Sequence, residues 1–176
     1  TFANEKNPDL YLTQPSLMNL MKQTGYKTFW ITNQQTITAR NTMLTVFSRQ
    51  TDKQYYMNQQ RTQSAREYDT NVLKPFREVL NDPSPKKLII VHLLGTHIKY
   101  KYRYPEDQGQ FDGITGHVPS GLNAKELEVY NDYDNANLFN DHVVASLIND
   151  FKATAPDGFL LYFSDHGEEV YDTPPH

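Results

Sequence analysis

The sequence predicts an α/β fold in which a mostly parallel sheet is covered by helices on both faces. Short apolar runs alternate with segments of helical periodicity along the 176 residues, which is the pattern of parallel sheets. The run at 87–94 is almost continuously apolar, as expected for a strand buried on both faces. Polar side chains follow the apolar runs at three places, where parallel sheets carry their ligand sites.

The first half of the chain predicts a helix, a strand and a second helix. Residues 17–25 follow a serine, show one apolar face and end in a glycine, as short helices do. Residues 27–32 are rich in aromatic and β-branched side chains and predict a strand. Residues 54–68 are polar and fit either a solvated helix or an irregular segment. Residues 71–80 have apolar side chains at helical spacing despite Pro75.

The second half predicts a strand, a glycine-rich loop, a long helix and a final strand. Asn123 and Glu126 have the spacing of a capping box, which starts the long helix. A Pro-Asp-Gly turn separates that helix from the final strand. The strand is expected at 87–94 and the loop at 105–122. The helix is expected from 124 onward, and the final strand at 159–163.

Each predicted strand ends in side chains that can carry chemistry. Because the carboxyl ends of parallel strands share one edge of a sheet, we expect these side chains to lie together. In chain order they are Asn33 and Gln34, then His97, then Asp165 and His166.

Asp165 and His166 are the best candidates for metal ligands. A carboxylate oxygen beside an imidazole nitrogen suits Zn²⁺, or Mn²⁺, better than Ca²⁺. The alternative is that Asp165 caps the next turn and His166 is a surface residue. Glu168 and Glu169 are either additional ligands, acceptors that orient His166, or solvated acids.

Three more residues are candidates near that edge. His97 follows a predicted strand end, where a histidine ligates a second metal or meets a phosphoryl oxygen; the alternative is an ordinary loop histidine. His176 lies ten residues beyond His166, within reach of the same cleft. Lys99 opens a run of alternating cations and aromatic rings at 99–104, which either holds an anionic head group or protects an edge strand.

Composition restricts the partners of the chain. A net charge of −4 argues against a general nucleic-acid binder. The lack of cysteine leaves the redox compartment open, and no run approaches the about 20 apolar residues of a membrane helix. The chain begins without methionine and ends just after two prolines, so we expect both ends to be cuts within a larger protein.

Four segments resemble the alkaline phosphatase and sulfatase superfamily, and more narrowly the phosphoethanolamine transferases of the bacterial inner membrane. The most specific are the Gly-Thr-His and Ser-Asp-His-Gly-Glu motifs. Because it lacks cysteine, the chain is more similar to the branch of the family that acts on lipopolysaccharide core sugars or periplasmic glucans than to the branch that acts on lipid A. The segments lie at 17–30, 92–105, 131–135 and 164–168.

The resemblance implies a zinc-dependent group transfer. A threonine, activated by zinc, attacks the phosphorus of phosphatidylethanolamine, and diacylglycerol leaves. A sugar hydroxyl of the acceptor then takes the phosphoethanolamine group from the threonine.

The resemblance also assigns roles to residues of this chain. Asp165 and His166 match zinc ligands, and His97 matches a histidine that meets the phosphoryl group or a second zinc ion. His176 matches a later histidine of the same site. The looser matches, at positions where the family contacts the head group, are Asn33, Gln34 and Arg40.

Several features of the proteins in that family have no counterpart in residues 1–176. The nucleophilic threonine, an acidic zinc ligand and the membrane helices all precede the matching region in the family. We therefore expect residues 1–176 to be part of a single periplasmic catalytic domain, at the periplasmic face of the inner membrane, and inactive alone. A sulfatase or phosphodiesterase of the same superfamily, or a binding domain without catalysis, remains an alternative.

Overall fold

The chain forms a three-stranded parallel sheet with helices packed around it. The computed structural model describes residues 7, 10–34, 42–60, 62, 64–113, 119 and 121–171. Strand β1 spans Lys27–Thr32, β2 spans Lys53–Tyr56 and β3 spans Lys87–His92, in the order β2-β1-β3. Strand β1 is central, with Phe29 opposite Lys53 on one side and Ile89 on the other.

The helices differ greatly in length. Within the described ranges they are α1 (Leu10–Thr13), α2 (Leu17–Gln23), α3 (Thr42–Arg49), α4 (Leu73–Leu80) and α5 (Ala124–Thr154), with 3₁₀ turns at Asp69–Val72, Tyr100–Tyr102 and Glu106–Gln108. The predicted capping box begins α5: the Asn123 side chain accepts from the Glu126 amide at 3.1 Å, and the Glu126 carboxylate accepts from the Asn123 amide at 2.8 Å. No helix in these ranges combines the length and the apolarity needed to span a bilayer.

The core lies between one face of the sheet and helices α4 and α5. Phe29 and Ile31 share this face because alternate residues of a strand point the same way, and only 1% and 0% of their surface is exposed. They pack with Phe76 of α4 and Phe139 of α5. Helix α2 also contacts β1, and its buried Met18 lies outside this cluster. The prediction of a parallel sheet with helices on both faces is therefore confirmed.

Two segments differ from the sequence prediction. Residues 53–56 form strand β2, whereas the sequence predicts a solvated helix or an irregular segment at 54–68. Parallel pairing with β1 makes the start of this polar segment extended. An edge strand was one of the two interpretations of Lys99–Tyr104, but Lys99 has left-handed backbone (φ 68°) and a 3₁₀ turn follows at Tyr100–Tyr102. The edge-strand interpretation of this run is therefore wrong.

Residues 159–163, which we call the apolar segment, were predicted to be the final strand. They form no strand with the rest of the described chain. Phe159, Leu161 and Phe163 are 87%, 71% and 72% exposed. An apolar strand needs a neighbour that takes its backbone hydrogen bonds and a layer that covers its side chains. The described part of the chain supplies neither, so the prediction of a paired strand is wrong for these residues.

The apolar segment is nevertheless held beside α5. The side-chain amide of Asn140 donates to the Tyr162 hydroxyl at 2.9 Å. Gly158, just before the segment, packs on the Phe151 ring so closely that a Cβ would lie 2.7 Å from it. Beyond the segment, Val170 is only 3% exposed. The chain is thus anchored before and after a short apolar stretch that lies open to solvent.

Candidate functional site

The carboxyl ends of β1 and β3 are joined by side-chain hydrogen bonds. Thr32 Oγ1 and His92 Nδ1 are 3.1 Å apart, and Gln34 Nε2 donates to the Leu93 carbonyl oxygen at 3.0 Å. Gln34 was predicted as a head-group contact, and in the structure its amide bridges two strands. These bonds hold the two strand ends together and fix where the following loops leave the sheet.

Asp165 and His166 lie in the turn after the apolar segment, with side chains 84% and 60% exposed. Asp165 Oδ1 is 3.9 Å from His166 Nε2. Two ligands of one tetrahedral zinc ion lie about 3 to 3.5 Å apart, given the usual zinc–ligand bond lengths. The observed separation is slightly longer than this, so the two donor atoms lie close to the spacing that one ion requires. Carboxylate and imidazole are also the donor types that zinc takes, so these two residues fit it.

The backbone selects which nitrogen of His166 faces Asp165. His166 Nδ1 is 2.8 Å from the carbonyl oxygen of Gly167. Because a carbonyl oxygen only accepts, Nδ1 carries the hydrogen and the neutral ring keeps its lone pair on Nε2. This hydrogen bond, together with the carboxylates of Asp165 and Glu168, raises the pKa of His166. The arrangement presents Nε2 as the ligand atom, as in many histidine–zinc sites.

His97 lies within electrostatic range of this turn. Burial lowers the pKa of His97 below its usual value, and the Arg103 and His166 charges act in the same direction. The charges of Glu168 and Asp165 oppose the shift and are outweighed. His97 is half-buried, and its Nδ1 has no hydrogen-bond partner among the residues that the structure describes. The predicted meeting of His97 with the Asp-His turn at one edge is thus consistent with the structure.

The described residues assemble only part of a metal site. No group of three or more histidine, aspartate or glutamate side chains in the described ranges is placed to hold one ion. Asp165 and His166 are therefore a pair, and zinc in proteins takes about four ligands. His176 and Arg40, which the sequence singled out, lie outside the described residues.

Sequence reasoning missed the buried carboxylate at this edge, Asp69, which begins a 3₁₀ turn and is 6% exposed. Asp69 Oδ1 accepts from the amides of Leu94 and of the Asn33 side chain, both at 2.9 Å, and Oδ2 accepts from the Gly95 amide at 2.7 Å. Burial raises the pKa of Asp69, while these donors and the Arg103 charge act to lower it. Asn33, predicted as a head-group contact, is fully buried here. No local pattern marks Asp69, because Leu94 is 25 residues away along the chain.

Lys99 and an aromatic pair border the same region. Lys99 is exposed, and its Nζ donates to the Ser64 hydroxyl at 2.9 Å. The rings of Tyr100 and Tyr133 meet edge to face with centroids 5.0 Å apart. Burial and the nearby charge of Glu168 raise the pKa of Tyr100. The aromatic pair therefore lies beside the acidic turn that carries Asp165.

His92 gives the chain a predictable pH dependence. Burial lowers the pKa of His92 below 6.5, although the Asp165 charge partly opposes the shift. Between the lowered pKa and 6.5, the unfolded chain binds a proton that folded His92 excludes. The free energy of unfolding is therefore expected to fall as the pH drops from 7.5 through 6.5 toward the lowered pKa.

Urea unfolding between pH 7.5 and 5.5 measures this effect. In His92→Gln the fall in the free energy of unfolding should be smaller than in the wild type. Equal pH dependence in the wild type and in His92→Gln would contradict the prediction.

Comparison with known proteins identifies the family to which the chain is related. The family model described as "Sulfatase" matches residues 1–176. The chain is 90% identical over 176 residues to "Phosphoethanolamine transferase EptC" of Escherichia coli (strain K12). It is 82% identical over 176 residues to "Phosphoethanolamine transferase CptA" of Salmonella typhimurium. Each match covers 100% of this chain and 30% of the relative, so the chain spans less than a third of their length.

A solved structure matches at the level of the fold. It is the C-terminal periplasmic domain of EcEptC from Escherichia coli in complex with Zn, with a TM-score of 0.91 and 90% sequence identity. The match covers 100% of this chain and 49% of that chain. The three parallel strands and their helices therefore correspond to about half of a larger periplasmic domain, and the zinc in that domain agrees with the donor types found at this sheet edge.

Proposed function

The chain belongs to the sulfatase family, and from that premise we propose that it is part of a zinc-dependent phosphoethanolamine transferase. The group moves from phosphatidylethanolamine to a sugar hydroxyl of lipopolysaccharide or of a periplasmic glucan. The observation that carries the proposal is the pairing of Asp165 with His166 at the sheet edge, within electrostatic range of His97. The names of the relatives support phosphoethanolamine as the group that is transferred.

Each of the three site residues has a distinct role in this proposal. Asp165 and His166 hold zinc, with Nε2 of His166 as the ligand atom. When bound, zinc lowers the pKa of the attacking hydroxyl and neutralises charge on the phosphoryl oxygens. His97, with its lowered pKa, is neutral near pH 7 and able to donate one hydrogen bond to a phosphoryl oxygen. His176 is proposed as a further residue of the same site.

The rest of the site is proposed to come from the longer protein. Residues 1–176 form part of a single periplasmic catalytic domain, to which the preceding region adds a threonine nucleophile and an acidic zinc ligand. Membrane helices in that region anchor the protein at the periplasmic face of the inner membrane. The incomplete ligand set and the exposed apolar segment support this division.

The proposed reaction proceeds in two balanced steps. The threonine oxygen bonds to phosphorus as the bond from phosphorus to the diacylglycerol oxygen breaks, and the threonine proton passes to that oxygen. The acceptor hydroxyl then bonds to phosphorus, the threonine oxygen leaves, and the acceptor proton returns to the threonine. Only the threonine carries the group between the two steps.

The test uses full-length protein incubated with zinc and with phosphatidylethanolamine labelled in its head group. We expect diacylglycerol release and, by mass spectrometry, one labelled phosphoethanolamine group on a threonine that precedes this region. Residues 1–176 alone should form no adduct. A full-length protein that forms no adduct but releases sulfate from an aryl sulfate would overturn the proposal in favour of a sulfatase. Transfer by residues 1–176 alone would refute the proposed division of the site.

A further inference from the structure

The loop that carries His97 is held by charged side chains rather than by regular structure. We call residues 94–98, between β3 and the 3₁₀ turn at Tyr100–Tyr102, the His97 loop. Within it, the His97 amide donates to the Leu94 carbonyl oxygen at 3.3 Å. The loop lies outside every helix and strand of the described chain, so its shape depends on contacts with the surrounding protein.

Asp69 holds the first half of the His97 loop. Its two carboxylate oxygens accept from the amides of Leu94 and Gly95, one oxygen for each amide. Gly95 has a positive φ of 57°, a conformation that residues with a side chain rarely adopt. Two charge-assisted hydrogen bonds to successive amides fix both the position and the direction of the backbone here.

Arg103 holds the second half of the loop. It is 5% exposed, and its Nε donates to the His97 carbonyl oxygen at 3.0 Å, while one Nη donates to the Ile98 carbonyl oxygen at 2.8 Å. The guanidinium charge also acts on Asp69. The buried carboxylate of Asp69 and the buried guanidinium of Arg103 thus hold successive parts of one five-residue loop. Buried charges are costly unless such contacts offset their desolvation.

The imidazole ring of His97 has no comparable hydrogen bond at its Nδ1 atom among the described residues. Its Nδ1 is buried and has no hydrogen-bond partner in the described chain. A catalytic histidine usually has its ring oriented by a hydrogen bond to one nitrogen. Asp69 and Arg103 instead hold the loop backbone on either side of the imidazole, Asp69 at Leu94 and Gly95 and Arg103 at the His97 carbonyl oxygen itself.

We propose that Asp69 and Arg103 are positioning residues that set the place of His97 for phosphoryl transfer. This inference rests on the proposed role of His97 as a contact of the phosphoryl group. Both residues are buried, at 6% and 5% exposed, so in this proposal they act through the loop and not through contact with the substrate. Loss of either one shifts the loop backbone, and a displacement of about 1 Å at a reacting group costs about 100-fold in rate.

Asp69→Asn in the full-length protein tests the proposal. An asparagine side chain offers one oxygen to the two loop amides and turns its own amide group toward the other, so one loop hydrogen bond is lost. We expect kcat for transfer to fall about 100-fold with little change in KM, and zinc content to stay at the wild-type level. The His97 ring resonances in a ¹H–¹³C NMR spectrum should shift, a readout that does not depend on activity.

Asn135→Ala is the matched control. Asn135 is 3% exposed, and its Oδ1 accepts from the successive amides of Gln110 and Phe111 at 2.7 and 2.9 Å. It therefore holds a different loop in the way that Asp69 holds the His97 loop. Asn135→Ala should lower Tm about as much as Asp69→Asn, but leave kcat and the His97 resonances unchanged.

Arg103→Lys is the second variant, and it tests the same proposal if Asp69→Asn fails to fold. Lysine retains the charge but lacks the planar fork that reaches two carbonyl oxygens, so kcat should again fall and the His97 resonances should move. A folded variant with wild-type kcat and wild-type His97 resonances would overturn the inference. If the wild-type protein itself shows no transfer, the proposed function fails, and the His97 resonances alone then decide whether Asp69 and Arg103 position the ring.

Discussion

Replacing Asp165 by asparagine in the full-length protein is expected to reduce phosphoethanolamine transfer by more than about 100-fold, since loss of an outer-shell partner of a zinc ligand already costs 10- to 100-fold. The amide of asparagine is a neutral and much weaker zinc donor than a carboxylate. His166→Ala removes Nε2, the donor atom 3.9 Å from the Asp165 carboxylate, and should have an effect of the same size. Bound zinc and the yield of the phosphothreonine adduct are the two quantities to measure.

Two exposed residues of the same types provide matched controls. Asp157 lies in the turn after α5, and His142 lies on the exposed side of α5. Asp157→Asn and His142→Ala should leave zinc content and adduct yield at wild-type values. If Asp165→Asn retains zinc and adduct formation as these controls do, Asp165 is not a ligand and the turn-capping interpretation of this residue is correct.

The second large effect concerns the apolar segment, residues 159–163. Leu161→Lys should lower the free energy of unfolding of the full periplasmic domain by about 3 kcal/mol or more, because a buried charge without a partner is costly. In the chain of residues 1–176, where Leu161 is 71% exposed, the same change should cost less than about 0.5 kcal/mol. It should also reduce self-association of the short chain, since exposed apolar segments promote pairing between chains.

Urea unfolding and sedimentation velocity measure these effects on both lengths of protein. Leu20→Lys is the control, because Leu20 on α2 is 50% exposed and should tolerate lysine in both. Equal tolerance of Leu161→Lys in the short and the long protein would show that nothing covers the apolar segment. The proposal that these residues are one part of a larger catalytic domain would then lose its structural support.

Local patterns were sufficient to predict most of the helices and strands. The capping box at Asn123 and Glu126 has its signal within four residues, and α5 begins where it predicts. The strand at 27–32 was predicted with its observed bounds. By contrast, β2 at 53–56 is short and polar, and it is a strand only because β1 lies beside it. The segment at 159–163 is the opposite case. Its apolar pattern predicts a strand, but no neighbouring strand for it is found among the described residues.

The same distinction applies to the site. The rule that parallel strands end at one edge was sufficient to expect His97 near Asp165, and the electrostatic effect of Asp165 on His97 agrees with it. Asp69 was not predictable, because its role depends on a loop 25 residues away and on no motif of its own. Asn33 and Gln34 were found by position, but their hydrogen bonds to other parts of the protein emerge only from the fold.

The most direct test of the zinc site is anomalous diffraction at the zinc absorption edge, from crystals of the full periplasmic domain grown with zinc. We expect a peak about 2.0 to 2.2 Å from an oxygen of Asp165 and from Nε2 of His166. A second peak beside His97 would identify it as a ligand of another zinc ion. Zinc bound only at other surface histidines, with none at Asp165 and His166, would show that these two residues are not the zinc ligands.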